Sequence, residues 1–266
     1  MITYMKISKA LDYKEILGLR TDDPATQDPT YSRWWETITD HPLFISYPRT
    51  GSHWINAVME MFFERPRLPE SRVTFLDPKR DDWAWFHDHD TIAWDKLHIK
   101  NTNDHGKNNV LYLYRNPIDT VFSWIVYNFN NGQSLKILPT DRLDNLVTAV
   151  SQQYRDHLNK WLIETPAKVV LRYENFKKDP IEEFSKIYNE WYGQGKLKAR
   201  YDRELAKACF DVATPAALSE RRTEPNTLSD FMLTDEYAQD RSDFTKKYGD
   251  VINSIVITEE LKEFFE

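Results

Sequence analysis

The run Leu43-Phe44-Ile45-Ser46-Tyr47, fenced by Pro42 and Pro48 and followed by a helical stripe, confines this chain to few folds. A short apolar run bounded by prolines suits a buried strand. After it, Ile55, Val58, Met59 and Phe62 recur at i, i+3, i+4 and i+7 of an amphipathic helix that ends before Pro66. The same grammar returns downstream. Val110-Leu111-Tyr112-Leu113-Tyr114 reads as a strand, Asn116 as an N-cap and Pro117 as the first helical residue; Ile118, Val121, Phe122, Ile125 and Phe129 form the stripe. A long helix fits 142–162, with Leu143, Leu146, Val147, Val150, Leu158 and Trp161 on one face. Lys168 to Arg172 reads as another short strand, and Pro180 to Trp191 as helical. Strands alternating with helices predict an α/β fold, a central parallel sheet flanked by helices on both faces. Residues 1–266 are expected to form a single domain. Within it, 1–42 is a lead-in packed on the rest, and 211–250 is polar and irregular, a candidate lid. Ile252 to Ile257 and a short terminal helix close the chain.

Composition narrows the function classes. A net charge of −7 offers no basic face for non-specific nucleic-acid binding, although a local cationic pocket is compatible with it. The single cysteine, Cys209, allows no intrachain disulfide. Lys6, Lys9, Asp12, Lys14 and Glu15 interrupt the first twenty residues as no signal peptide would be interrupted, and no window is apolar enough for a membrane span. The expectation is a soluble, cytoplasmic protein. With only seven glycines, each is expected to mark a turn or a close approach.

One of those glycines lies in Ser46-Tyr47-Pro48-Arg49-Thr50-Gly51-Ser52-His53-Trp54, between the first strand and its helix. Backbone N–H groups and the helix dipole bind anions at such a junction. Gly51 would let the backbone wrap a phosphate, Ser52 would add a hydroxyl and Arg49 a permanent charge. The alternative is an ordinary turn, with Gly51 for its positive φ and Ser52 as N-cap. The loop is not a Walker A motif, because it lacks that motif's first glycine and its lysine. At the second junction, Arg115 follows a strand and Ser123 lies two helical turns on, an arrangement suited to a second phosphate. Here the alternative is a salt bridge from Arg115 to Asp119, with Ser123 an ordinary helical residue.

Taken in order, these segments resemble the nucleotide-binding motifs of the cytosolic-type sulfotransferases that use 3′-phosphoadenosine-5′-phosphosulfate (PAPS). The family's 5′-phosphosulfate loop, approximately T-Y-P-K-S-G-T-x-W, is followed by Ser46 to Trp54. Its 3′-phosphate motif, approximately R-N-P-x-D-x-x-x-S, is matched by Arg115-Asn116-Pro117-Ile118-Asp119 through Ser123. A third element, L-x-Y-E-[DN], is similar to Leu171-Arg172-Tyr173-Glu174-Asn175. The resemblance covers residues 43–192 and implies a P-loop-like fold that transfers a sulfuryl group from PAPS to an acceptor hydroxyl, leaving adenosine 3′,5′-bisphosphate. It implies that Arg49, Thr50, Gly51, Ser52 and His53 form the 5′ loop and that Trp54 and Tyr173 contact the adenine. Arg115 and Ser123 would hold the 3′-phosphate. Arg49 stands where the family commonly has lysine, so its help to the leaving group is electrostatic rather than proton donation. The family's late R-K-G segment has no clean counterpart; Arg221, Arg222 and Arg241 are the candidates.

The transfer needs a base, and a histidine titrating near neutral pH suits it. The resemblance points to His98, in Lys96-Leu97-His98-Ile99. The rival group is His87-Asp88-His89-Asp90, read as a solvated turn, with an alternative catalytic or acceptor-contacting role. In a strand, His87 and His89 would share a face, yet no further ligands stand at a metal-site spacing, and no metal is expected. The acceptor is left open among small molecules, lipids and carbohydrates. Trp34-Trp35 and Trp83-Ala84-Trp85-Phe86 could line its cleft or belong to the core. A P-loop-like small-molecule kinase and a non-catalytic nucleotide-binding relative are the competing functions.

Overall fold

The computed structural model describes residues 42–63, 67, 85–91, 97, 110–129, 133–164, 167, 169–192, 202–213, 231–232 and 234–266. The expected lead-in 1–42 (Pro42 apart), Trp34, Trp35, Trp83, His98, Arg221 and Arg222 lie outside these residues. Four strands pair in parallel: β1 (Leu43–Ser46), β2 (Phe86–Asp88), β3 (Val110–Tyr114) and β4 (Val169–Arg172). Their order is β2-β1-β3-β4, with Leu43 opposite both Phe86 and Val110, and Leu111 opposite Val169. The chain moves from β1 outward to β2, then returns across β1 to place β3 on its other side. That reversal creates a switch point at the carboxyl ends of β1 and β3, where open α/β sheets leave a crevice.

Alternation along each strand builds two cores. Leu43, Ile45, Val110, Tyr112 and Tyr114 face α2 (Pro117–Phe129), α3 (Thr140–Leu158) and α7 (Asp235–Val256). Phe44, Leu111, Leu113, Val169 and Leu171 face the other layer. There lie α1 (Ser52–Phe63), α4 (Tyr173–Lys178), α5 (Pro180–Tyr192) and α6 (Arg203–Val212). Both faces of the sheet are therefore covered, which is why its strands read as continuous apolar runs.

Three expectations need correcting. The stretch 211–250 is not irregular where it is described. α6 extends to Val212, and α7 occupies 235–256, capped by Thr234, whose hydroxyl accepts from the Tyr237 N–H. Polar residues hide this helix because it buries only a narrow stripe, Asp240, Phe244, Tyr248, Gly249, Ile252 and Val256, about one residue in four. Ile252 to Val256 form its last turn, and the expected terminal helix is a single 3₁₀ turn, Lys262–Phe264. Second, His87 and Asp88 belong to strand β2 rather than to a solvated turn. Ladder pairing with β1 overrides the polar composition there, and His87 is buried. Third, the long helix leaves α geometry after Leu158 and closes in a π-helical turn, Asn159–Glu164.

Phe184 of α5 is fully buried, with its ring 5.0 Å from Phe62 of α1 and 5.7 Å from Phe210 of α6. Phe184→Ala should lower unfolding stability by about 3–5 kcal/mol, the cost of lost transfer energy plus a cavity. Urea denaturation measures it as a lower midpoint at unchanged slope.

Candidate active site

The loop from Tyr47 to Gly51 leaves β1 in a tight turn, closed by the Thr50 hydroxyl donating to the Tyr47 carbonyl at 2.7 Å. Two residues take positive φ, Arg49 at 71° and Gly51 at 98°. At Gly51 no side chain fits for a second reason: a Cβ would lie 2.5 Å from the Tyr173 ring. The Gly51 carbonyl then accepts from the N–H groups of Trp54 and Ile55, so Ser52 is the first helical residue and is buried. His53 is exposed, and Trp54 packs edge-on against Tyr173, Phe176 and Phe210. The Trp54 indole Nε1 is buried and has no hydrogen-bond partner.

The second junction adjoins the first. Asn116 caps α2 as expected, its side-chain oxygen accepting from the N–H groups of Ile118 and Asp119 at 3.0 and 3.3 Å. Arg115 reaches back to donate to the Arg49 carbonyl at 3.2 Å, and its guanidinium lies 4.6 Å from the Tyr173 ring centroid. Arg49 in turn donates from Nε to the Ser123 hydroxyl at 3.1 Å and stacks 5.0 Å over Tyr127. The salt bridge of Arg115 with Asp119, the alternative reading of this junction, is present at 3.5 Å, but it is shared. Arg241, on α7, meets the same carboxylate at 2.6 Å. Burial raises the Tyr237 phenol above its ordinary range, and the nearby charges of Arg115, Arg49 and Arg241 partly oppose this. Arg115 and Arg241 thus share the Asp119 carboxylate, with Arg49 held beside them through its carbonyl. The Arg115 Nε is buried without a partner.

At the neighbouring strand end, His89 follows β2. Its Nδ1 lies 2.6 Å from the Ser46 carbonyl, which can only accept, so Nδ1 carries the proton and Nε2 keeps a lone pair. The Ser46 hydroxyl also bonds His87 Nε2 at 3.0 Å. Burial holds the His89 pKa below its usual 6.5. Arg67 and Arg49 add to the lowering, while the Ser46 carbonyl and Asp88 oppose it. Among the described residues no three His, Cys, Asp or Glu side chains gather as metal ligands.

The structure joins Arg49, Thr50, Gly51, Ser52, Trp54, Arg115, Ser123 and Tyr173 at the switch point. The sequence reading missed Tyr154 and Tyr127. Tyr154 on α3 donates to the Arg115 carbonyl at 2.6 Å and accepts from the Arg115 N–H at 3.0 Å. Only its place on the buried stripe marked it in the sequence. Trp85, a candidate for the cleft, is core, donating to Asn56 at 2.9 Å. Among the described residues no helix is long and apolar enough to cross a membrane.

Gly51→Ala should cost about 1–3 kcal/mol for the disfavoured φ, beyond the clash with Tyr173. In the double variant Gly51→Ala/Tyr173→Ala the clash is gone and the φ cost stays, so thermal denaturation should show a partial recovery relative to the sum of the single changes.

Comparison with known proteins agrees with this geometry. The family model described as "Sulfotransferase domain" matches residues 39–212. Rat sulfotransferase 1C2 is 20% identical over 248 residues, covering 85% of this chain and 83% of that protein. The crystal structure of mouse sulfotransferase SULT7A1 complexed with PAP superposes with a TM-score of 0.55 at 17% identity, covering 85% of this chain and 88% of that one. Since the matched segment runs through all four strands and both loops, the chain belongs to the sulfotransferase family.

Proposed function

We propose that this protein transfers a sulfuryl group from PAPS to an acceptor hydroxyl, with the nucleotide held at the switch point between β1 and β3. The observation that carries this reading is the convergence of Arg49, Arg115 and Arg241 beside the amino ends of α1 and α2. Guanidinium groups brought together from three elements suit a ligand bearing two separate anionic groups, as PAPS does. The unpartnered Trp54 and Arg115 nitrogens add donors that a bound nucleotide could satisfy. The mouse relative was solved with PAP.

PAPS would supply the sulfuryl group and depart as adenosine 3′,5′-bisphosphate. On this reading Arg49, Thr50, Gly51, Ser52 and His53 form the loop around the 5′ end, while Trp54 and Tyr173 flank the adenine. Arg115, Ser123 and Arg241 hold the 3′-phosphate, Arg241 standing in for the family's late basic segment. Arg49 stabilises negative charge on the departing phosphate oxygen without donating a proton.

For the base, the observations support His89; His98, the residue the resemblance points to, lies outside the described residues. Its protonated Nδ1 is engaged by Ser46, and its free Nε2 can take the acceptor's proton as the new O–S bond forms. The lowered pKa keeps the imidazole neutral at pH 7. The same shift favours the neutral form in the folded state. The stability it represents is present above pH 6.5 and is lost as the pH falls below that value.

With purified protein and labelled PAPS, Arg241→Ala should raise the dissociation constant of adenosine 3′,5′-bisphosphate by roughly 10- to 100-fold, one charge-assisted contact's worth. Calorimetry reads it, and magnesium-dependent binding of ATP instead would favour a kinase. His89→Ala should lower kcat by about 10²- to 10⁴-fold, and the acid limb of the wild-type rate profile should fall below pH 6.5. Full turnover by His89→Ala together with loss in His98→Ala would transfer the role of base to His98.

A further inference from the structure

His89 is held from three directions, and only one anchor touches its ring. Ser46 of β1 accepts from Nδ1. The His89 carbonyl lies 3.0 Å from Nε2 of His157, a fully buried residue at the end of α3. A carbonyl accepts only, so His157 Nε2 donates and its Nδ1 accepts from the Tyr112 hydroxyl at 2.8 Å. This chain fixes the His157 tautomer from the middle strand of the site. The third anchor is the next residue. Asp90 is buried with φ at 49°, a left-handed conformation that aspartate tolerates better than most side chains. Its Oδ2 receives both Lys160 Nζ at 2.7 Å and the Trp161 indole N–H at 2.9 Å. Lys160 and Trp161 are consecutive residues of the π-helical turn that ends α3, an irregularity often found at functional positions.

We propose that His157 and Asp90 are positioning residues for His89, the first holding its carbonyl and the second locking the turn that follows onto α3. The inference rests on the reading of His89 as the base. A residue just beyond a three-residue strand has little ladder pairing to fix its backbone, so these anchors fix the backbone from which the ring, bonded to Ser46 through Nδ1, presents Nε2. The polar groups spent on them are buried, and a fold that only needed to end a strand could have placed apolar side chains there. Asp88, Arg67, Arg49 and His87 also face or adjoin the ring.

The test compares His157→Leu, His157→Gln, Asp90→Asn and the near-isosteric Tyr112→Phe, which stays informative if the leucine variant fails to fold. Nitrogen-detected NMR of histidine-labelled protein reads the His89 tautomer and pKa independently of turnover. The wild type should show a single Nδ1–H tautomer. His157→Leu should show mixed tautomers, a His89 pKa moved toward 6.5, and a kcat lowered on the order of 100-fold, as misplacement by about 1 Å can cause. KM for donor and acceptor should change little. His157→Gln should recover most of the loss, because its amide can donate to His89 and accept from Tyr112. Unchanged ring signals and kcat in folded His157→Leu, Asp90→Asn and Tyr112→Phe would overturn the proposal. A fall in kcat with rising KM and unchanged ring signals would overturn it too, as general loosening. Ring signals that shift while kcat holds would support positioning and discard His89 as the base.

Discussion

Tyr154 ties the site together through one hydroxyl. Buried between α3 and the sheet, it donates to the carbonyl of Arg115 and accepts from the same residue's N–H. A residue just past a strand end has no ladder partner of its own, and an unpaired buried backbone group is costly. The phenol satisfies both groups at once and so fixes where the Arg115 side chain starts. Arg115 then reaches the carbonyl of Arg49 and holds the β1 loop in its left-handed turn. Burial raises the Tyr154 pKa well above its ordinary value, so the hydroxyl keeps its proton and its donor role.

The site is a layered arrangement of charge. Arg49, Arg115 and Arg241 come from a loop, a strand end and a distant helix, and Asp119 is placed where it meets two of them. Without an anion, such a cluster is held together by its carboxylate and by the faces of Tyr127 and Tyr173. An incoming phosphate could replace part of that pairing with stronger bidentate contacts. The histidine side of the crevice is built differently, from hydrogen bonds to Ser46 and His157 and from the ion pairs Lys160–Asp90 and Arg67–Glu60.

Much of this was legible in the sequence because strand and helix periodicities are local. A proline-fenced run announced β1, a short apolar run announced β3, and the Asn116-Pro117 pair announced the start of α2 at the residue where it occurs. The motif residues from Arg49 to Trp54 and from Arg115 to Ser123 did come together. β2 escaped because only three residues pair, two of them polar, and its strand character comes from β1 beside it. α7 escaped because a helix that buries about one residue in four looks like a polar linker until its partners α2 and α3 are in place.

By itself the sequence determined the α/β alternation, the two strand-to-helix junctions and the residue types that could meet an anion there. Those features depend on neighbours a few positions apart, which composition and spacing record. Tertiary structure decided the rest: that Arg241 joins Arg115 across 126 positions through Asp119, and that His89 stands at the crevice with Nδ1 against the Ser46 carbonyl. Such choices depend on contacts between groups far apart in the chain, in particular on a carbonyl of β1 and an imidazole of α3 meeting one histidine. No local pattern encodes that meeting; the packing of α3 against the sheet creates it.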